Sequence, residues 1–158
     1  MTMTIKLARV DSRLLHGQVA TVWTKTVKPN RILVVSDAVA QDQLRKVLIT
    51  QAAPAEAKAN VISVAKMTQI YQDSRFDGFQ PIILTESLAE MAQLAAAGID
   101  LTATGVNVGN LPYTAGKMML TNSVSADAVD VAAARQLVSA GVPVYTQTVP
   151  TDRQQDFL

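Results

Sequence analysis

The chain of 158 residues contains one histidine, His16, and no cysteine. A neutral imidazole is nucleophilic near physiological pH, and it can take up a phosphoryl group and give it back because the phosphoramidate bond is labile. What surrounds His16 suits that chemistry. Gly17 follows it with no side chain to obstruct a large group, and the amides of Gly17, Gln18 and Val19 would form the positive end of a helix. Arg13 could offer a guanidinium fork to phosphate oxygens, which carry close to two negative charges. Arg9 could supply a second positive charge, and Asp11 could orient the imidazole or restrain Arg13. The absence of thiols rules out a disulfide framework, a thiolate zinc site, an iron–sulfur cluster and a cysteine nucleophile. One histidine and no compact carboxylate pair leave little from which to build a hydrolytic triad or a metal centre, so neither metal nor cofactor is expected.

Residue types alone leave plainer readings open. A lone histidine after an apolar pair such as Leu14-Leu15 is often a hydrogen-bonded surface or core residue, and charges like Arg9, Asp11 and Arg13 commonly form a weak ion pair in a solvated loop. Asp37 and Asn107 fall at the carboxyl ends of expected strands and could border the same crevice, although capping and turn formation also account for them. Trp23 reads as a core anchor, since its neighbours at helical spacing are apolar. Gly105-Val-Asn-Val-Gly109 fits neither a Walker loop nor a Gly-x-Gly-x-x-Gly fingerprint, so no nucleotide is expected.

The elements that must position these groups alternate along the chain. Strands are expected at Thr4 to Val10, Arg31 to Ser36, Asn60 to Val64, Pro81 to Thr85, Gly105 to Val108 and Val142 to Thr148, with a turn at Gly109-Asn110 and a hairpin strand at Lys117 to Leu120. Helices are expected from Gly17 to Lys25, from an Asp37 cap to Pro54 with Val39, Leu44, Val47 and Leu48 facing the core, at Ala65 to Tyr71, at Ser87 to Ala97 closed by Gly98, and at Ala126 to Ala140 ended by Gly141. The pattern predicts one α/β domain over residues 1–158, a mostly parallel central sheet with helices on both faces, and a ligand crevice at the strands' carboxyl ends, where Asp11 to His16 lies. Apolar residues make up 49% of the chain and charged ones 17%, enough for a core. No apolar run reaches a membrane span and the formal charge is +1 without basic runs, so a cytoplasmic chain that does not bind nucleic acid is expected.

The run Arg9-Val-Asp-Ser-Arg-Leu-Leu-His-Gly-Gln-Val19 closely resembles the active-site signature of mannose/fructose/sorbose-class IIB components of sugar phosphotransferase systems (PTS), an Arg-Ile/Val-Asp-x-Arg-Leu-Ile/Leu-His-Gly-Gln-Val run. The likeness continues through Val34-Val-Ser-Asp-Ala-Val-Ala40, Asn107-Val-Gly-Asn110, Ser123-Val-Ser-Ala-Asp127, Gly141-Val-Pro-Val144 and Val149-Pro-Thr-Asp152, and so covers nearly the whole chain. Ser36 stands where that family often has Asn, and Asn110 where it often has a second Gly. The resemblance implies a phosphoryl carrier whose His16 accepts phosphate from a IIA component's phosphohistidine and passes it to a sugar held by membrane IIC and IID components, with Arg13 holding the phosphate. It also implies peripheral association with the membrane transporter. Leu14 and Leu15 are expected to form a shallow apolar rim that meets both partners. The sugar could be mannose, fructose, sorbose or N-acetylgalactosamine, and pairing of two copies into a homodimer stays open. A non-catalytic phosphohistidine sensor and a small-ligand binding module are the rival functions.

Overall fold

The computed structural model describes residues 2–17 and 19–158. The apolar runs form β1 (Leu7–Asp11), β2 (Arg31–Val35), β3 (Lys58–Ile62), β4 (Pro81–Thr85) and β5 (Val106–Asn110), followed by the short β6 (Met118–Met119), β7 (Ser125–Ala126), β8 (Val144–Thr146) and β9 (Gln155–Asp156). The helices are α1 (Thr24–Val27), α2 (Asp37–Ala40), α3 (Gln43–Gln51), α4 (Val64–Gln72), α5 (Leu88–Ala96) and α6 (Ala128–Ser139). Seven strands make one sheet in the order β3-β2-β4-β1-β5-β8-β9, parallel except for β9, while β6 and β7 pair as a separate antiparallel hairpin. Strands covered on both faces read as continuous apolar stretches, and Ile32 to Val35 and Ile82 to Leu84 are all essentially without solvent exposure.

The strand order fixes where helices lie. The chain runs from β1 through β2 to β3 towards one edge and then back through β4 and β5 to β8. Right-handed crossovers therefore place the two sets of helices on opposite faces. Val19, Trp23, Val39 and Ile49 pack with Leu7, Ile32, Val34 and Leu84 on one face. Met67, Met91, Leu94 and Leu137 pack with Ala8, Val10, Ile83 and Val108 on the other. Neighbouring strands β1 and β5 thus send their connections in opposite directions, and their carboxyl ends form the switch point where ligands usually sit in such sheets.

Several expectations need correction. The single helix expected between Asp37 and Pro54 is two. Ser36, not Asp37, caps α2 by accepting from the Val39 amide, and Asp42 caps α3 by accepting from Arg45. The fresh start at Gln43 resets the helical phase, so Ile49 faces the core while Leu44 and Leu48, expected there, are 69% and 57% exposed and Val47 is also exposed. Gly109 and Asn110 continue β5 instead of turning. The last strand is shorter than expected, and the chain returns as β9, after which Phe157 is buried in the core and its amide donates to the Val144 carbonyl.

Leu14 and Leu15 do not form a rim. Both are buried with Val19 and Trp23, and Leu14 holds a left-handed backbone at φ 58. They anchor the loop from below. Leu15→Ala should accordingly lower stability to urea by about 2–5 kcal/mol, as buried leucine truncations do, whereas an unchanged midpoint would return Leu15 to the surface.

Candidate functional site

The site grows from the end of β1. Side chains on a strand alternate in direction, so Arg9 and Asp11 share the face that carries α1, and both are 0% exposed. The expectation of a solvated weak ion pair therefore fails for these two residues. Two buried charges persist only when each is paired and hydrogen-bonded. The Arg9 guanidinium donates from Nε and Nη2 to Asp11 Oδ2 at 3.4 and 3.2 Å, and from Nη1 to Asn107 Oδ1 at 2.7 Å and to the Gln147 carbonyl at 3.0 Å. Trp23 covers it, with the guanidinium carbon 5.3 Å from the ring centroid and the indole Nε1 donating to the Thr148 carbonyl at 3.1 Å. Burial pulls the Arg9 pKa down from its ordinary value, and the Asp11 charge and hydrogen bonds oppose that pull.

Asp11 is the hub. Its Oδ1 accepts from the Arg13 amide at 3.0 Å, and its backbone carbonyl accepts from the Leu14 amide at 2.9 Å, which folds the loop tightly. Its Oδ2 lies 3.1 Å from His16 Nε2. An ionised carboxylate can only accept, so in the neutral ring Nε2 carries the proton and Nδ1 keeps its lone pair. The His16 side chain is 19% exposed. Its backbone carbonyl accepts from the Ala20 amide at 2.9 Å, which places His16 at the start of the helical segment. That segment takes a wide π-helical turn over Val19–Trp23 before α1 begins. Arg13 is 55% exposed, and its Nε is 3.8 Å from Asp11 Oδ1. The loop is fastened to β5 by Ser12, whose amide donates to the Asn110 carbonyl at 3.0 Å and whose hydroxyl donates to Asn110 Oδ1 at 2.7 Å.

Of the residues singled out from sequence, His16, Arg13, Asp11, Arg9 and Asn107 form one connected network. Gly17 is exposed at the start of the helix, with no atom within 4 Å of where a Cβ would stand. Gln18 lies outside the described residues. Asp37 is engaged elsewhere, accepting from the Val64 amide at 2.9 Å at the start of α4.

Gly109 is the residue that sequence reasoning missed. A Cβ there would fall within bonding-scale overlap of the Arg9 guanidinium carbon and both its terminal nitrogens, so Arg9 lies flat against β5 only because position 109 has no side chain. A glycine inside a strand is itself the signal of such a close approach. Gly105, which begins the same stretch, serves a different purpose: its φ is +68 and a Cβ would stand 2.8 Å from the Pro143 carbonyl oxygen.

Comparisons with known proteins show the family and the fold. Residues 5–158 match the family model described as the PTS system sorbose subfamily IIB component. The chain is 40% identical over 156 residues to the sorbose-specific EIIB component of Lacticaseibacillus casei, covering 99% of this chain and 94% of that one. It is 41% identical over 150 residues to the mannose-specific EIIAB component of Escherichia coli K12, covering 95% of this chain but 46% of that one, so it spans about half the length of this relative. The crystal structure of the IIBSor domain of the sorbose permease from Klebsiella pneumoniae superposes with a TM-score of 0.93 at 34% identity, covering 99% of this chain and 94% of that one. The fold and these matches thus define a PTS IIB-type domain. The chain belongs to the sorbose subfamily of PTS IIB components.

Proposed function

We propose that this protein is a phosphoryl carrier of a sugar phosphotransferase system, working on the cytoplasmic side with a IIA donor and membrane IIC and IID components that present the sugar. The observation that carries the reading is the buried Asp11 carboxylate on His16 Nε2, which leaves Nδ1 as the nucleophile. In the first transfer the Nδ1 lone pair attacks phosphorus as the bond to the donor's imidazole nitrogen breaks. Asp11 holds the Nε2 proton and offsets the positive charge that the ring gains, and Arg9 keeps Asp11 in place. In the second transfer a sugar hydroxyl oxygen attacks phosphorus, the N–P bond breaks, the hydroxyl proton is released, and His16 returns to its starting tautomer.

Arg13 is the one nearby cation of the loop that is open to solvent, which fits a role on the phosphate oxygens. Arg13→Ala should leave thermal stability nearly unchanged, because an exposed pair at this distance contributes about 0–1 kcal/mol, and slow phosphorylation by about a hundredfold, as loss of one donor to transition-state oxygens does. Equal rates for variant and wild type would remove Arg13 from the mechanism.

The relay reading is tested by loading the protein with labelled phosphate and adding membrane vesicles that carry mannose-class IIC and IID and a sugar. Label appearing on the sugar supports a carrier. Label retained on the protein, despite active vesicles, supports a regulatory sensor instead.

A further inference from the structure

A second cavity lies past the carboxyl end of β8, and the relay has no use for it. Its volume is about 380 Å³, and it is walled by the 121–123 turn of the β6–β7 hairpin, by Gln147 and Thr148, and by Asp152, Arg153 and Gln155. No aliphatic or aromatic residue lines it: the polar groups of its walls are hydroxyls, amides, one guanidinium and one carboxylate, interleaved with the apolar methyls and stems of the same side chains. Part of this polar lining is committed to the fold. Thr121 Oγ1 accepts from the Ser123 and Val124 amides, Asp152 Oδ2 accepts from the Val149 amide, and the Gln147 side chain donates to the carbonyls of Pro150 and Asp152. Among the described residues no hydrogen bond is made by the Ser123 and Thr148 hydroxyls or by the side chains of Asn122, Arg153 and Gln155, the last three of which are exposed to solvent, and all five residues line the cavity.

Short donors and acceptors set around a small cavity suit a ligand with many hydroxyls, and a guanidinium at its margin suits a phosphate, which it can grip with two parallel hydrogen bonds. We propose that this cavity binds a sugar phosphate, the chemical class that the relay forms at its final step; the choice of ligand rests on the relay reading above. The cavity wall also reaches the relay. The Gln147 carbonyl accepts from Arg9 Nη1 and from Asn107 Nδ2, and the Thr148 carbonyl accepts from the Trp23 indole, so occupancy is felt at the groups that hold Arg9. Trp23 is the only tryptophan in the chain and makes a built-in reporter.

The test is a titration of the unphosphorylated full chain with mannose 6-phosphate, followed by amide and indole N–H signals in nuclear magnetic resonance, with mannose and inorganic phosphate as separate arms. Saturable shifts at residues 121–123, 147–148 and 152–155 and at the Trp23 indole are expected, unchanged in His16→Ala. Each half-ligand should bind at least about tenfold more weakly, and Arg153→Ala, which leaves His16 phosphorylation without ligand intact, should weaken mannose 6-phosphate binding by about tenfold. Shifts confined to the His16 loop, equal binding of inorganic phosphate, an unaffected Arg153→Ala, or no saturation would each overturn the proposal. A chain that binds in this way but is never phosphorylated would overturn the relay and leave the cavity standing.

Discussion

Asp11→Asn should slow phosphorylation of His16 by about a thousandfold or more. The change keeps the shape of the side chain but sets an NH2 donor, or a neutral oxygen, against three donors: Arg9 Nε, Arg9 Nη2 and His16 Nε2. An amide that turns its NH2 to His16 opposes the Nε2–H tautomer, one that turns its oxygen there still cannot offset the charge that the ring acquires, and loss of the orienting carboxylate beside a catalytic histidine elsewhere costs about ten-thousandfold. It also leaves the Arg9 charge buried without its partner, a situation that typically costs about 3–5 kcal/mol. Stability and chemistry are separated by measuring the rate on variant protein shown to be folded by circular dichroism. A folded Asp11→Asn chain that is phosphorylated at the wild-type rate would mean that the carboxylate only supports the fold.

Gly109→Ala should be nearly as damaging although it adds a single methyl group far from Asp11 in sequence. The methyl would occupy the place of the Arg9 guanidinium, which has nowhere to withdraw because it is held by Asp11, Asn107 and the Gln147 carbonyl and covered by Trp23. A loss of about 1–3 kcal/mol is expected from overpacking alone, with a further loss from the displaced ion pair. The double-mutant cycle with Arg9→Ala identifies the cause: in that background Gly109→Ala should cost little, because the group it strikes is gone. Additive effects would place the damage in the β5 backbone instead.

The strand alternation and the histidine loop were legible because they depend on local order. Continuous apolar runs gave β2 and β4 nearly residue for residue, and the one histidine falls between a strand and a helical segment as its neighbours predict. The depth of Arg9 was not legible, since its burial depends on a strand 98 residues away supplying Asn107 and an empty position at Gly109. Gly109 itself looked like a turn because glycine and asparagine side by side favour turns in isolated sequence, and the register of β5 against β1 overrides that preference. The same kind of override exposed Leu44 and Leu48. Their spacing is that of a core face, but the Asp42 cap starts α3 on a different phase. Burial of Leu14 and Leu15 follows from the left-handed backbone at Leu14, which no composition rule anticipates in a bulky residue.

The central claim is that His16 carries the phosphoryl group, and intact mass tests it most directly. The protein and a His16→Ala variant are incubated with the general phosphotransferase enzymes, phosphoenolpyruvate and a mannose-class IIA, and weighed before and after brief acid treatment. The wild type alone should gain one acid-labile phosphate, about 80 Da for the group described above. No gain while the IIA is itself phosphorylated, or an equal gain on His16→Ala, would contradict the account.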